Sequence, residues 1–372
     1  MPSMAYCPGA FGFNHFYRNK RKQTSTISSD TPITAHEKTE TTMSDEVATQ
    51  PLNLPILATK ESTTGRTYIV TGANTGLGFE AAKHLVALGA KKVILAVRSL
   101  PTGLAAKEKI DTATGTTDVA EVWQLDLSSY DSVKAFAKRA VGGELERLDA
   151  VIENAAVASG GGERAEGHIL PLTVNVLSTF LLAVLLLPKM KADAEKFGIL
   201  PRLAIVTSGI GWDVRDMWMD IKQDPLVGLD GVDGKNVLAT YPLSKLMDTF
   251  SVRELAKLLP VEKGKVVINA VCPGLCKTEL IRHAPPDVKQ SIIDLHEQFG
   301  RTAEDGSRTL LAGAVLGRES HGRYTSHCEI REDKVPEWAK DEEAEKWQKN
   351  LWDAIAKELE TVEPGCVQKA LQ

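Results

Sequence analysis

The fold of this chain is decided by the stretch Tyr68-Ile69-Val70-Thr71-Gly72-Ala73-Asn74-Thr75-Gly76-Leu77-Gly78. An apolar, β-like run leads into a glycine-spaced turn, and a helical pattern from Phe79 to Leu88 follows it. Side chains at Gly72, Gly76 or Gly78 would hinder the tight turn, the approach of a pyrophosphate or the packing of helix on strand. The spacing differs from GxGxxG, but its place between a strand and a helix predicts a dinucleotide site at the helix N-terminus.

Short β-branched runs alternate with helical patterns along most of the chain. The runs are Tyr68 to Val70, Val93 to Ala96, Ala120 to Gln124, Ala150 to Ile152, Leu203 to Val206 and Val266 to Ala270. Such nearly continuous apolar strands predict a parallel sheet that helices cover on both faces. We therefore expect a single α/β domain over residues 56–330, followed by a helical tail over residues 331–372 that packs on it.

Composition and charge exclude two kinds of partner and one kind of site. The 372 residues carry a formal net charge of −5, so the chain lacks the basic excess that neutralises nucleic-acid phosphates. Its five cysteines are scattered without the paired spacing of a zinc site. The longest apolar run, Phe180 to Leu187, is shorter than the roughly 20 residues that span a bilayer. We expect a buried helix there, with a homodimer through the helix around residues 175–190 left open.

The N-terminal part of the chain has no hydrophobic periodicity. It is rich in Ser and Thr, and a basic cluster from Arg18 to Lys22 precedes the first acidic residue, Asp30. These features predict a flexible extension over residues 1–55. The scattered cysteines indicate a reduced, intracellular protein, and we expect a cytoplasmic location. The basic, acid-poor start leaves mitochondrial import open as an alternative, and Met43 is a second candidate start.

Two residues at strand ends bear on the choice of cofactor. Arg98, in Ala96-Val97-Arg98-Ser99, stands where a NAD-selective fold more often has an acid that binds the ribose 2′-hydroxyl. A guanidinium suits a 2′-phosphate, so NADP(H) is preferred over NAD(H), with a solvated surface charge as the alternative. Asp126, in Leu125-Asp126-Leu127-Ser128, would accept a hydrogen bond from the adenine amino group or cap the next helix, a cap that Ser128 would also supply.

Tyr241 and Lys245 point to acid/base chemistry. Four residues apart, they share one face of a helix, where the ammonium would favour phenolate over the neutral phenol. Two hydroxyls, those of Thr207 and Ser208, follow the strand Leu203 to Val206 and compete for the substrate oxygen. Strand alternation places them on opposite faces.

These motifs, in this order, resemble the short-chain dehydrogenase/reductase family from about Arg66 through Leu359. They are Thr71 to Gly78, Asn154-Ala155-Ala156, Asn175, Ser208, Tyr241 with Lys245, and Pro273-Gly274. Within the family the chain is similar to fungal, retinol-dehydrogenase-like reductases. The resemblance implies a Rossmann-like, doubly wound, seven-stranded parallel sheet flanked by helices.

The resemblance also implies a role for each site residue. Tyr241 is the general acid in carbonyl reduction, Ser208 binds the substrate oxygen, and Asn175 orders a water that relays protons from Lys245. The family register selects Ser208 over Thr207. The implied cofactor-binding residues are Gly72, Asn74, Thr75, Gly76, Leu77, Gly78, Arg98, Ser99, Asp126, Leu127, Asn154, Ala155, Ala156, Tyr241, Lys245, Pro273, Gly274 and Thr278.

The sequence therefore predicts an NADPH-dependent reductase of a ketone or aldehyde, reversible toward the alcohol, in fungal secondary metabolism. Residues 209–240 and 275–299 hold apolar side chains that would wall a pocket for a bulky, largely apolar substrate, with ordinary packing as the alternative. Two departures from the family pattern, Glu153 and Ala156, leave open a redox-silent NADP(H)-binding protein. A NAD-preferring dehydrogenase is a third hypothesis.

Overall fold

The computed structural model describes residues 47–372, which form a central sheet and a small hairpin. The strands are β1 (Thr67–Thr71), β2 (Lys92–Val97), β3 (Ala120–Gln124), β4 (Ala150–Glu153), β5 (Arg164–Ala165), β6 (His168–Ile169), β7 (Arg202–Val206), β8 (Val267–Cys272), β9 (Tyr324–Ser326) and β10 (Glu329–Ile330). The central sheet has the order β10-β9-β8-β7-β4-β1-β2-β3, and β5 pairs with β6.

The predicted seven-stranded parallel sheet is confirmed, and an eighth strand extends it. Every pairing from β3 to β9 is parallel. The eighth strand, β10, has two residues and returns antiparallel to β9. A strand this short carries no periodicity that the sequence would reveal.

Helices cover both faces of the sheet. They are α1 (Lys60–Thr63), α2 (Gly76–Ala87), α3 (Leu100–Thr114), α4 (Tyr130–Arg139), α5 (Ser178–Phe197), α6 (Arg215–Ile221), α7 (Pro225–Asp230), α8 (Val237–Leu258), α9 (Val261–Gly264), α10 (Pro286–Phe299), α11 (Ala303–Gly313), α12 (Glu342–Val362) and α13 (Cys366–Leu371). Ile69 and Ile94 face the core under α4, α5 and α8, whereas Val70 and Leu95 face the core under α2 and α11. This alternation explains why the strands are apolar throughout.

The long apolar helix is a core element of this chain. Within residues 47–372, only the helical segment 172–197 has the length and hydropathy of a membrane span, and 83% of its most apolar window is buried in the fold. Phe180 packs edge-on against Trp352 of α12, with ring centroids 5.9 Å apart. Lys191 donates from Nζ to the Ala370 carbonyl of α13 at 3.2 Å. The C-terminal helices thus pack against the helix that the homodimer prediction named, and the dimer stays a prediction.

The packed part of the chain begins inside the segment that was expected to be flexible. Residues 1–46 lie outside the described residues, and the prediction for them stays a prediction. Residues 47–55 lie on the domain, where the Leu54 side chain is only 3% exposed. Polar contacts hold them, because the Asp305 carboxylate accepts hydrogen bonds from the Asn53 and Leu54 N–H groups at 3.0 and 2.7 Å. Nothing in the local composition of residues 47–55 reveals these distant partners.

Candidate active site

The glycine turn wraps tightly around the end of β4. Gly72 has φ +66°, in the left-handed region, and its N–H donates to the Ala96 carbonyl of β2 at 2.8 Å. A Cβ at Gly72 would lie 3.1 Å from Ala155 Cα, and one at Gly78 would lie 2.6 Å from Asn154 Nδ2. The turn therefore requires glycine because β1, β4 and α2 approach one another closely here.

The N-terminus of α2 opens toward the same region. Thr75 precedes the helix with extended backbone, and its side chain makes no capping hydrogen bond. The first N–H groups of α2 thus lack a side-chain partner at this cap, and the helix dipole adds positive potential. This arrangement fits a pyrophosphate.

One cavity of about 1020 Å³ brings most of the predicted site together. Its lining includes the predicted residues Gly72, Asn74, Thr75, Gly76, Leu77, Arg98, Ser99, Asp126, Leu127, Asn154, Ala155, Ala156, Ser208, Tyr241, Lys245, Pro273, Gly274 and Thr278. Gly78 and Asn175 are not part of it. The volume suits a dinucleotide with a small-molecule substrate, and the glycine turn leaves the room that a pyrophosphate needs.

Asn154 and Asp126 shape the loops at the strand ends. Asn154 donates from Nδ2 to the Thr71 carbonyl at 2.9 Å, which ties the loop after β4 to the glycine turn. Asp126 accepts from the Ser128 N–H and hydroxyl at 2.9 and 2.6 Å. The helix-cap alternative for Asp126 and Ser128 is wrong, because Ser129 caps α4 by accepting from the Ser132 N–H. The adenine contact of Asp126 stays a prediction.

Asn175 holds a loop rather than facing the cavity. Its Oδ1 accepts from the Val157 N–H at 2.8 Å, and its Nδ2 donates to the Val157 carbonyl at 3.0 Å and to Ser244 Oγ at 2.9 Å. The amide lies in the π-helical turn Leu172–Leu177 and is 1% exposed. In this structure it connects the loop after β4 to α8, the helix that carries Tyr241 and Lys245.

The two rival hydroxyls point to opposite sides, as strand alternation predicts. Thr207 is buried and donates from Oγ1 to the Lys245 carbonyl at 2.7 Å. Ser208 is half-buried, lines the cavity and caps the 3₁₀ turn that follows, accepting from the Ile210 N–H at 3.4 Å. Thr207 also lines the cavity, but its hydroxyl is bonded to the Lys245 carbonyl and to Thr249 Oγ1, so Ser208 has the more accessible hydroxyl.

Tyr241 and Lys245 share the cavity, but the ammonium does not favour phenolate in this arrangement. Lys245 Nζ lies 6.0 Å from the centroid of the Tyr241 ring. It donates instead to the Val206 carbonyl at 3.0 Å and to Asp248 Oδ2 at 2.8 Å. Burial raises the pKa of Tyr241 above its ordinary value, which corrects the expected shift toward phenolate. The phenol therefore stays protonated at neutral pH.

A pair of buried carboxyl groups lies behind Lys245, and sequence reasoning missed its connection to the lysine. Asp248 is 0% exposed, and burial raises its pKa to about 6 against the opposing effect of Lys245. Glu153 is 2% exposed, and neither of its carboxyl oxygens has a hydrogen-bond partner within residues 47–372. Burial, with the Asp248 charge added, raises the pKa of Glu153 well above its ordinary value. Glu153 is thus a neutral acid beside an ion pair, and it does not line the cavity.

Both predicted pocket walls reach the cavity, but the segment 209–240 does so through Ile210, Val237 and Leu238 and not through its Trp and Met side chains. Val288, Ile292, Leu295 and Phe299 form one face of α10 and line the cavity. Val288 packs in the same cluster as Tyr241. Trp212 and Trp218 of the other segment pack instead against Tyr324 and Phe250, with ring centroids 5.4 and 5.3 Å apart.

The cysteines near the site are packing groups. Cys272 Sγ accepts from the Gly209 N–H at 3.3 Å, and Cys276 Sγ donates to the Pro273 carbonyl at 3.3 Å. Burial raises the pKa of the Cys276 thiol to about 12, so it is not a thiolate nucleophile at neutral pH. No cluster of three or more His, Cys, Asp or Glu side chains suited to a metal occurs in the described part of the chain.

Comparison with known proteins finds the same combination of fold and motifs. The family model described as short chain dehydrogenase matches residues 66–212. The short chain dehydrogenase/reductase dmxR8 of Cryptosporiopsis sp. (strain 8999) is 41% identical over 305 residues, which cover 81% of this chain and 92% of the relative.

Solved structures share the architecture at low sequence identity. A protein from Shigella flexneri 2a str. 301, assigned as a short chain dehydrogenase and complexed with NADP, has a TM-score of 0.52 at 22% identity, over 71% of this chain and 98% of its own. The 3-ketoacyl-(acyl-carrier-protein) reductase of Brucella melitensis, complexed with NADH, has a TM-score of 0.53 at 19% identity. The match covers 71% of this chain and 97% of the reductase. At these identities the likeness concerns the fold alone.

Proposed function

This chain belongs to the short-chain dehydrogenase/reductase family, an NAD(P)-binding family of oxidoreductases, and from that premise we propose that it reduces a ketone or aldehyde of a bulky, largely apolar small molecule with NADPH. The observation that carries the proposal is the convergence of Ser208, Tyr241 and Lys245 on one cavity with the glycine turn. Taken singly, each residue has an ordinary structural explanation. Together they supply an oxygen-binding hydroxyl, a proton donor and a cation where parallel sheets bind ligands.

The residues of the chain divide the work of carbonyl reduction. The glycine turn and the N-terminus of α2 would hold the pyrophosphate, and Pro273, Gly274 and Thr278 would hold the nicotinamide. The reduced nicotinamide supplies the hydride when bound. Ser208 donates a hydrogen bond to the carbonyl oxygen, and Tyr241 gives that oxygen its proton. A phenol that burial keeps protonated suits the role of the acid in carbonyl reduction.

The apolar face of α10 supports the choice of substrate class. Among the α10 residues only Val288 is buried by the protein itself, so the other apolar residues of this face remain free to contact a ligand. Burial of apolar surface contributes about 25 cal/mol per Å². A large apolar carbonyl compound would therefore bind here more tightly than a small polar one.

The experiment that tests the function follows NADPH absorbance with the full-length protein and a panel of carbonyl compounds of increasing apolar size. We expect cofactor oxidation that depends on the carbonyl compound, with the alcohol identified by mass spectrometry. Cofactor binding without turnover across the panel would favour the redox-silent alternative. That alternative receives no support from Glu153, because its side chain lies outside the cavity.

Preference for NADP(H) is proposed from Arg98, whose exposed side chain lines the cavity after β2. Arg98→Asp should raise the KM for NADPH about tenfold to a hundredfold, because a charge-assisted hydrogen bond contributes roughly 1.5–3 kcal/mol. The KM for NADH should change far less. Lys109→Asp makes the same charge change at an exposed position of α3 outside the cavity and serves as the control. Equal effects of both substitutions on NADPH would contradict the role of Arg98.

Two wider expectations remain proposals. A role in fungal secondary metabolism is consistent with the fungal source of the relative described above. A cytoplasmic location, with mitochondrial import as the alternative, depends on residues 1–46, which lie outside the described residues.

A further inference from the structure

The segment that closes over the cavity is joined to the domain by a narrow neck. This lid, residues 276–300, contains α10, and its two ends lie side by side. The Arg301 N–H donates to the Leu275 carbonyl at 2.9 Å, and the Lys277 N–H donates to the Arg301 carbonyl at 2.8 Å. The position of α10 over Tyr241 therefore depends on how firmly this neck is held.

The Gln50 side chain forms hydrogen bonds with both segments of the neck. Its Nε2 donates to the Leu275 carbonyl at 2.9 Å and to the Phe299 carbonyl at 2.7 Å. Its Oε1 accepts from the Leu275 N–H at 3.0 Å. Both amide N–H groups and the amide oxygen are thus used, and the side chain is 9% exposed.

The segment that carries Gln50 has its own anchors, so the amide is held in place from outside the neck. We name residues 47–58 the strap. The Arg301 guanidinium, 1% exposed, donates to the Pro51 carbonyl at 2.9 Å and to the Pro273 carbonyl at 2.7 Å. Leu54 packs with Ala312 and Cys328. Loss of the Gln50 side chain alone would leave these strap contacts intact.

The strap also reaches the cavity. Val47 lines it, and Gln50 Oε1 lies so close to the Pro273-Gly274 turn that a Cβ at Gly274 would approach it to 2.5 Å. The Pro273-Gly274 turn and the neck of the lid therefore meet at one amide.

We propose that Gln50 is a positioning residue that fixes the neck of the lid, and that the strap is thereby part of the substrate site. Through the neck it sets the apolar face of α10 over Tyr241. Local composition assigns residues 47–55 of the strap to a flexible extension, but the contacts of this segment join it to the α/β domain.

Gln50→Ala in the full-length protein tests this directly. We expect faster amide hydrogen exchange in residues 276–300 and a KM for the carbonyl substrate about tenfold higher, because three hydrogen bonds of modest net value are lost. The kcat should change by less than about threefold, because no group that touches the substrate is removed. Leu52→Ala is the matched control, since Leu52 lies in the strap and is 58% exposed. It should leave both readouts unchanged.

The two readouts separate the positioning role from the function. The KM readout rests on the proposed function, because it is measured for carbonyl reduction. Hydrogen exchange reports on the lid whether or not the protein reduces a carbonyl compound. If amide exchange in the lid is faster in Gln50→Ala but the wild type reduces no carbonyl compound, the proposed reductase function is refuted and the positioning role of Gln50 stands. If Gln50→Ala has the same lid exchange and the same KM as the wild type, the positioning role of Gln50 is refuted. Gln50→Asn shortens the side chain by one methylene, so that the amide no longer reaches the neck. It gives the same test if the alanine variant folds poorly.

Discussion

Replacement of Tyr241 by Phe should lower the kcat for carbonyl reduction by at least about a thousandfold, because general acid catalysis contributes 10²–10⁴-fold and the hydroxyl also positions the oxygen. The affinity for NADPH should change little, since the ring remains. The measurement is single-turnover NADPH oxidation at saturating cofactor, with cofactor binding followed separately by fluorescence. Full turnover in the variant would remove the proposed mechanism.

A second tyrosine offers a matched control for this substitution. Tyr130 is buried and its hydroxyl has no hydrogen-bond partner in the described part of the chain, so Tyr130→Phe removes the same atom away from the cavity. It should leave kcat unchanged. The pH dependence gives an independent check on Tyr241, because its raised pKa keeps the acid protonated through neutral pH. Reduction should therefore persist up to alkaline pH, and alcohol oxidation should increase as pH rises.

The parts of this site that sequence predicted are those set by local chemistry. The glycine turn is readable because backbone geometry at Gly72 and the close approach at Gly78 tolerate no side chain. The strand order is not local, but the apolar runs require a sheet covered on both faces, and that requirement restricts the topology. Tyr241 and Lys245 are readable because four residues make one helical turn.

The parts that sequence missed are set by distant partners. Gln50 meets Leu275 across 225 positions, and no pattern in residues 47–58 indicates this. Trp212 and Trp218 look like pocket walls, yet each finds an aromatic partner in the core. The expected shift of the Tyr241 pKa was in the wrong direction because burial of the phenol raises it, and because Lys245 donates its hydrogen bonds to Asp248 and to the Val206 carbonyl. Charge, burial and competition for partners are properties of the packed structure.

Asp248 carries the second large prediction, because it is the carboxylate that holds Lys245. Lys245 is 3% exposed, so its ammonium has little water and needs a counter-charge. Removing one partner of a buried ion pair costs about 3–5 kcal/mol, because the other charge is left unpaired. In Asp248→Asn the ammonium would lose its counter-charge, so the cation beside Tyr241 would no longer be held by an opposite charge. We expect kcat to fall about tenfold to a hundredfold, together with a loss of unfolding free energy in urea.

The neighbouring acid provides the contrast that identifies which carboxyl group is charged. Burial raises the pKa of Glu153 well above its ordinary value, so Glu153→Gln replaces one neutral group by another of nearly the same shape. It should change kcat by less than about threefold, because the substitution removes no charge. A large loss in Glu153→Gln with a small one in Asp248→Asn would mean that Glu153 is the counter-ion of Lys245.

The pH dependence of the wild type follows from the same pair. The pKa of Asp248 is raised to about 6, so the carboxylate that faces Lys245 takes up a proton as pH falls through that value. The other groups near this pair are Glu153 of β4, whose pKa is raised well above its ordinary value, and the Val206 carbonyl of β7, and neither supplies a replacement anion. The reduction rate of the wild type should therefore decline below about pH 6. The rate of Asp248→Asn should be low and flat through this range, because the titrating group is gone, and a decline that persisted in the variant would assign the titration to another residue.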